Sequence, residues 1–511
     1  MASFLSLKKN YDSFIAAVLG FMAILLFTHY GGIGISPDSI MYTSVARNMN
    51  AGKWLLGYDN KPMVLFPVLY PVFLGVIMFI TRLDVIAFAP SLNGLLFAGV
   101  LYLSGCIMQR FTTTSRLYKA FVLLIIIVCP CLTDVYSMLW SETLFIFWVI
   151  LFIIFMLRYL QKSTLKNLLL IGCIAALSCI TRYAGVTLIG TGGLLIVCFS
   201  ALTWKNRIFH LVLFGYASIS LLAINLIRNQ YTTGMLTGVR QKGIVSLHDN
   251  IQYFGNVLSD WLPFASLTRP FSFSLGLIFL LGALITFIYR VKKQKDYKSF
   301  ENITTTFFLV FGWFMVISAT VSRYEPINAR LLSPLFISFL FFCTQSIPRI
   351  VKFINNKIFK ICFVLVMVSL AAVLLFQHYA IDTITYKSEA EGGIGGYTED
   401  DWKQSQTLHY LQKDSSFFNP VIPVFSNANH AVYFYTGQSV FSLPERVHTN
   451  KVISLNATPT FKLIWFNTEE NADLLTLNEL KKNKSMIPIK TFNDGSLFLC
   501  TNDTSLLHKK F

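Results

Sequence analysis

Charge is scarce in this chain. Of its 511 residues, 13% are Asp, Glu, Lys or Arg, against roughly 25% in soluble proteins. So little charge excludes both a soluble multidomain protein and a disordered chain. A P-loop, a dinucleotide-binding glycine fingerprint and a nucleophile elbow are absent. The 8 histidines show no metal-binding spacing. The 9 cysteines form neither a disulfide framework nor a zinc pattern. Cys106, Cys129, Cys131, Cys173, Cys179, Cys198, Cys343 and Cys362 lie in or beside apolar stretches, where they pack as small hydrophobes. Only Cys500 lies in a polar region. No internal repeat is present. What is abundant is apolar: 54% of residues are hydrophobic, gathered in stretches of roughly 20, the length that crosses a bilayer.

The net charge of +17 would suggest nucleic acid if it were clustered on a soluble face. It is not. Residues 1–376 carry 30 Lys/Arg and 11 Asp/Glu, whereas the tail from Gln377 carries 12 and 14. The basic excess belongs to the apolar part and reports topology, so no nucleic-acid partner is expected.

Apolar segments fall near 13–31, 86–109, 119–136, 141–158, 167–181, 184–203, 208–227, 271–289, 303–321, 331–347 and 358–376. Short basic loops between them, such as Arg158–Lys166 and Arg349–Lys360, fall on one side if the N-terminus, with Lys8 and Lys9, is cytoplasmic. The first segment has no small-x-small cleavage site after it and reads as an uncleaved anchor. Leu65–Thr81 is apolar enough to span, but a span there would turn every later basic loop outward. It reads as a helix in the outer interface, with Pro67 and Pro71 at its entry. The competing assignment is a true span compensated by a merged pair elsewhere.

The fold class is therefore an α-helical polytopic membrane protein. It has about 11 transmembrane helices, interfacial helices in the first outer loop (32–85), and a small C-terminal α/β extracytoplasmic domain. Residues 1–376 form the membrane domain and 377–511 the outer one. In the tail, Val421–Phe425 and Phe461–Phe466 read as strands, and Asp400–Leu411 and Leu477–Lys482 as helices. Asn493–Gly495 reads as a hairpin turn before Ser496–Cys500.

Polar residues of interest collect in the outer segments. Ser36-Pro37-Asp38 opens a helix: Ser36 suits the cap, Pro37 the first position, and Asp38 the first turn, where the dipole favours a carboxylate. Asp38 reads equally as a simple first-turn acid. Thr133-Asp134 leads to Ser141-Glu142, and Glu142 opens an apolar segment. A carboxylate at that depth needs a partner or a watery cavity, or is held by the helix dipole. Arg182, Arg323 and Arg330 lie outside, against the basic bias. Arginine grips phosphate oxygens at fixed geometry, and an anion would offset the repulsion between a helix start and Arg182 or Arg330. The alternatives are snorkelling to lipid headgroups and an Arg323–Glu325 pair. Asp38 with Asp134 or Glu142 would supply oxygen ligands for a divalent cation, though no cofactor is certain.

Ser-Pro-Asp-Ser with Tyr42 in the first outer loop, Pro67-Val68-Leu69-Tyr70-Pro71, and a second outer carboxylate at Ser141-Glu142 together resemble the GT-C superfamily. These are integral-membrane glycosyltransferases that use polyprenyl- or dolichyl-phosphate sugars. The resemblance is to the aminoarabinose transferase and protein O-mannosyltransferase group. The tail, with Gly395-Gly396-Tyr397, Trp402, Ser426-Asn427-Ala428 and Leu443-Pro444, is similar to that of uncharacterised bacterial members. Ser39 stands where protein O-mannosyltransferases carry a second acid, and no Asp-x-Asp lies near Asp134.

The resemblance implies transfer of a sugar, with inversion, from a polyprenyl-phosphate carrier to a hydroxyl of a lipid, glycan or protein acceptor. It implies Asp38 as general base, with Glu142 or Asp134 orienting the acceptor or supporting Asp38. Arg182, Arg323 and Arg330, with Lys61, would hold the carrier phosphate, and Tyr42, Tyr183 and Tyr324 would line the pocket. A bacterial inner membrane with a periplasmic active face is the expected location. Two other classes remain open: a lipid-linked sugar flippase, and a membrane scaffold of polysaccharide assembly. The transferase requires Asp38, Glu142 and the arginines to meet in one pocket.

Overall fold

The computed structural model describes residues 10–111, 115–293, 299–323, 325–419, 421–469 and 471–502. The chain starts with α1 (Tyr11–Phe27), α2 (Pro37–Asn50), α3 (Leu69–Thr81) and α4 (Val85–Phe111). Next come α5 (Arg116–Ile127), α6 (Pro130–Ser137), α7 (Glu142–Gln161), α8 (Leu165–Thr181) and α9 (Val186–Phe199). Then follow α10 (Trp204–Thr233), α11 (Leu247–Asp260), α12 (Ala265–Thr268), α13 (Ser272–Lys293) and α14 (Phe300–Val321). The helical body ends with α15 (Ala329–Thr344), α16 (Ile347–Phe353) and α17 (Lys357–Gly392). α1 packs along α4, α8 against α10, and α11 against α13.

Among the described residues, 6 helices are long and apolar enough to cross a membrane, and the bent pair α5–α6 makes a seventh. Shorter apolar helices stand at Tyr11–Phe27, Leu69–Thr81, Leu165–Thr181, Tyr183–Phe199 and Ala329–Thr344. This is a multi-pass α-helical membrane protein, and each apolar segment of the sequence holds a helix. Two segments differ from their expected form. The stretch 119–136 is not one straight helix: it bends by 50° at Val128–Cys129, where Pro130 starts a new helix because it has no N–H for the preceding turn. The last apolar helix runs on to Gly392, well beyond 376. The stretch between α10 and α13 contains the amphipathic α11, whose Gly255 lies so close to the Ser272 carbonyl that a Cβ would collide with it. The α3 helix has 13 residues and rises roughly 20 Å, less than the ~30 Å hydrocarbon layer.

The tail adds α18 (Asp400–Lys403), α19 (Gln406–Lys413), α20 (Asn429–Thr436), α21 (Thr449–Ala457) and α22 (Leu477–Asn483). Its strands are β1 (Val424–Ser426), β2 (Phe441–Ser442), β3 (Thr460–Phe466), β4 (Ser485–Thr491) and β5 (Gly495–Thr501). They form one 5-stranded sheet in the order β2-β1-β3-β5-β4. β1 is parallel to β2 and β3, and β5 is antiparallel to β3 and β4. The expected hairpin is present, with the Phe492 N–H donating to the Gly495 carbonyl at 2.8 Å. The expected helix 400–411 is instead two, because Ser405 caps the second through the Leu408 N–H at 3.1 Å. Phe461, Leu463, Leu480 and Cys500 form a small core of their own.

The tail clasps the segment just before Asp38. Ile35 is bridged to Gly396, and Gly34 to Met138. The Tyr397 N–H donates to the Ile35 carbonyl at 2.8 Å. Gly396 has φ +84° and a Cβ there would meet that same carbonyl, so the position requires glycine. Farther along, Asn429 Nδ2 donates to the Tyr58 hydroxyl at 2.8 Å, and His430 Nε2 lies 3.2 Å from it.

Candidate active site

Glu142 is the centre of the site. It is the first residue of α7, follows Ser141, and is 0% exposed. A carboxylate buried at a helix start gains from the dipole, but not enough to replace lost solvation. Two guanidinium groups make up the difference. Arg330 Nε donates to Oε1 at 2.7 Å. Arg182 Nη1 stands 2.5 Å from Oε2, while donating its hydrogen bond to Ser141 Oγ at 3.0 Å. Oε2 is thus held by charge rather than by a hydrogen bond.

Arg330 lies in the first turn of α15, capped by Asn328, whose Oδ1 accepts from the Leu331 N–H at 3.0 Å. A cation there opposes the dipole, and three carboxylates offset it. Besides Glu142, Arg330 Nη2 reaches Asp38 Oδ2 at 2.5 Å and Nη1 faces Glu325 Oε1 at 3.8 Å. Its plane lies over the Trp140 ring at 4.0 Å, a cation–π contact. Trp140 is oriented by Nε1 donating to Ser36 Oγ at 2.8 Å. Ser36 accepts from the Ser39 N–H in a capping box and so sets the start of α2. One chain of contacts thus runs from the Ser36 cap through Trp140 to Arg330 and back to Asp38.

Asp38, Arg182, Glu325 and Arg330 line a cavity of about 600 Å³, with Glu142 and Trp140 behind its wall. Pro37, Asp38 and Tyr42 enter from α2, Arg182 and Tyr183 from the end of α8, and Arg330 from α15, with Phe311 and Met315 of α14 as an apolar wall. Asp38 is 26% exposed and Glu142 0%, so Asp38 faces the cavity and Glu142 anchors the cluster from behind. Tyr42 is buried with its hydroxyl 3.3 Å from Ser141 Oγ. Burial, and then the Asp38 charge, pushes that hydroxyl up, so it stays protonated. Burial likewise raises the Glu325 carboxyl, against the pull of Arg330. Tyr183 donates to the Val64 carbonyl at 3.2 Å, tying the cavity wall to the segment before α3.

The other candidates lie elsewhere. Arg323 is not in the cavity lining: it donates to both Asp473 oxygens at 2.6 and 2.7 Å and to Gln241 Oε1 at 2.8 Å. Its charge joins the loop after α14 to the tail, and Glu325 pairs with Arg330 instead. Lys61 is exposed in a turn where its N–H donates to Asp59 Oδ1 at 3.2 Å, away from the lining. Asp134 sits on α6, within electrostatic range of Arg330 but off the cavity lining. Tyr324 lies outside the described residues. Arg240 lines the cavity and was not singled out from the sequence. Its guanidinium lies 5.9 Å from the Tyr183 ring centre, and among the described residues no carboxylate pairs with it. It lies in an irregular loop and not at a helix start, so the argument that selected Arg182 and Arg330 does not reach it. The donor set does not fit a divalent cation: Arg330 bridges Asp38 and Glu142, and the described residues hold no metal-binding group of three His, Cys, Asp or Glu.

An apolar multi-helix body with an α/β domain clasped to the segment before Asp38 is a fold shared with membrane proteins of known structure. Among the structures that share it are two of ArnT from Cupriavidus metallidurans. The ArnT apo state superposes with a TM-score of 0.56 at 13% identity, over 97% of this chain and 98% of that one. ArnT bound to undecaprenyl phosphate gives the same values, 0.56, 13%, 97% and 98%. No family model and no curated protein sequence matches the chain.

Proposed function

We propose that this protein is a glycosyltransferase that moves a sugar from a polyprenyl-phosphate carrier to an acceptor hydroxyl at the extracytoplasmic face. The observation that carries this is the meeting of Asp38, Glu142, Arg182 and Arg330, from four separate segments, around one cavity. A fold neighbour bound to undecaprenyl phosphate supports the carrier class. The basic loops support a cytoplasmic N-terminus and a tail domain on the outside.

Asp38 is the general base. It takes the proton of the acceptor hydroxyl as that oxygen bonds to the anomeric carbon. The bond from that carbon to the phosphate oxygen breaks on the opposite face, its electron pair leaves with the carrier phosphate, and the configuration inverts. Asp38 is held by Arg330. An arriving phosphate competes for that guanidinium and releases the carboxylate, coupling donor binding to base activation. Arg182, Arg240 and Arg330 stabilise the charge that develops on the leaving phosphate. Glu142 keeps Arg182 and Arg330 in place.

The test is to incubate the purified protein with a panel of polyprenyl-phosphate sugars and hydroxyl acceptors and to identify the lipid product. The expected result is free polyprenyl phosphate with the sugar covalently on the acceptor. Movement of intact lipid-linked sugar across vesicles without covalent change would instead establish a flippase.

A further inference from the structure

A second cavity of about 590 Å³ lies between α5, α15, α16 and α17, away from the carboxylate cluster. Its wall is almost wholly apolar, from Val122 on α5 through Phe339 and Cys343 on α15 to Met367 and Ala371 on α17. The Tyr118 hydroxyl, which also faces it, is satisfied by the Thr344 carbonyl at 2.8 Å. The groove exists because α17 stands off the bundle: only 6% of its most apolar stretch is buried. From Lys360 to Leu374, both on the lining, the helix rises roughly 21 Å, more than one leaflet's share of a ~30 Å hydrocarbon layer.

One end carries Lys352 of α16 and Lys360 of α17, both exposed. Among the described residues neither pairs with a carboxylate. They belong to the basic stretch from Arg349 to Lys360, which the positive-inside bias assigns to the cytoplasmic leaflet. Two lysines at the mouth of an apolar groove between helices match an anionic headgroup attached to acyl chains.

We infer that this groove binds an anionic glycerophospholipid of the cytoplasmic leaflet, its phosphate between Lys352 and Lys360 and an acyl chain along α17. The bound lipid fills the gap that the protein leaves and sets the position of α17. That helix leads directly to Gly396 and Tyr397, which clasp the loop before Asp38. The inference is independent of the transferase proposal, because its test reads lipid retention and not turnover.

Native mass spectrometry of the full chain would compare phosphatidylglycerol, phosphatidylcholine and undecaprenyl phosphate. A one-to-one phosphatidylglycerol adduct is expected to outlast the phosphatidylcholine one. Lys352→Gln with Lys360→Gln should weaken it roughly thirtyfold, the effect of removing two lysines from an anionic lipid surface, and leave phosphatidylcholine unchanged. Ala371→Trp, or Cys343→Phe from the opposite wall, should reduce the adduct with the lysines intact and a native elution profile. Equal retention of the two phospholipids, no effect of the lysine pair, or displacement of phosphatidylglycerol by undecaprenyl phosphate would overturn the inference.

Discussion

Asp38 and Glu142 touch the same arginine, yet their replacement by amides should have opposite consequences. Asp38 is 26% exposed and has one ion pair, to Arg330. When it becomes Asn, Arg330 keeps Glu142 at 2.7 Å and Glu325 at 3.8 Å. Solvent screening holds the stability loss to about 0–1 kcal/mol. Turnover should fall by roughly 10²–10⁴-fold, the usual contribution of a general base. Glu142 is wholly buried between guanidinium groups at 2.5 and 2.7 Å. Glu142→Gln removes the charge that two cations share, and breaking such a buried pair costs about 3–5 kcal/mol. The assays are thermal unfolding in detergent and release of polyprenyl phosphate from a labelled lipid-linked sugar. Asp38→Asn should unfold like the parent and be inactive; Glu142→Gln should unfold at clearly lower temperature. An active Asp38→Asn, or a Glu142→Gln as stable as the parent, would refute the division of roles.

Arg240→Gln should raise the KM for the lipid donor about tenfold, a loss of ~1.4 kcal/mol, without lowering the unfolding temperature, since its described contact is a distant aromatic ring. Arg323→Gln should loosen the tail, seen as faster hydrogen exchange around Asp473, and leave the donor KM unchanged. Gly396→Ala should cost about 1–3 kcal/mol because its φ is +84° and a Cβ meets the Ile35 carbonyl; lower activity with a displaced 33–35 segment should accompany it. Burial holds His430 down at about 4, with Asp38 and Asp59 pulling the other way. The unfolded imidazole titrates near 6.5, so between these values the unfolded state binds more protons and stability falls as pH drops. Protection factors at 429–436, corrected for the intrinsic exchange rate, should therefore fall from pH 7 to pH 5, and His430→Gln should flatten that response.

Much of this was legible in the sequence because its signals are local. Ser36 and Pro37 mark a helix start by cap chemistry alone, and the structure has the capping box there. Asn493–Gly495 marks a hairpin, and the strands pair on either side of it. Glu142, Arg182 and Arg330 stood out because each is a charge in a place that penalises charge, and Asp38 because its Ser-Pro-Asp-Ser setting resembles a family acid; the structure brings all four together. What escaped depends on partners far along the chain. Arg323 looked like an anion ligand because Asp473, 150 residues away, is invisible to local pattern. The bend before Pro130 was hidden because hydropathy averages across a proline. Arg240 sits in a long outer segment with no apolar rhythm around it, so nothing local indicated that it would face Tyr183.

The central claim is that the carboxylate–guanidinium cavity receives the carrier phosphate. It is tested most directly by determining the structure of the full chain with undecaprenyl phosphate bound. The expected result places the phosphorus inside the cavity of about 600 Å³, within hydrogen-bond reach of Arg240 and of Arg182 or Arg330, with Asp38 released from Arg330. A phosphate bound outside that cavity, or one inside it with the Asp38–Arg330 pair unbroken, would contradict the account.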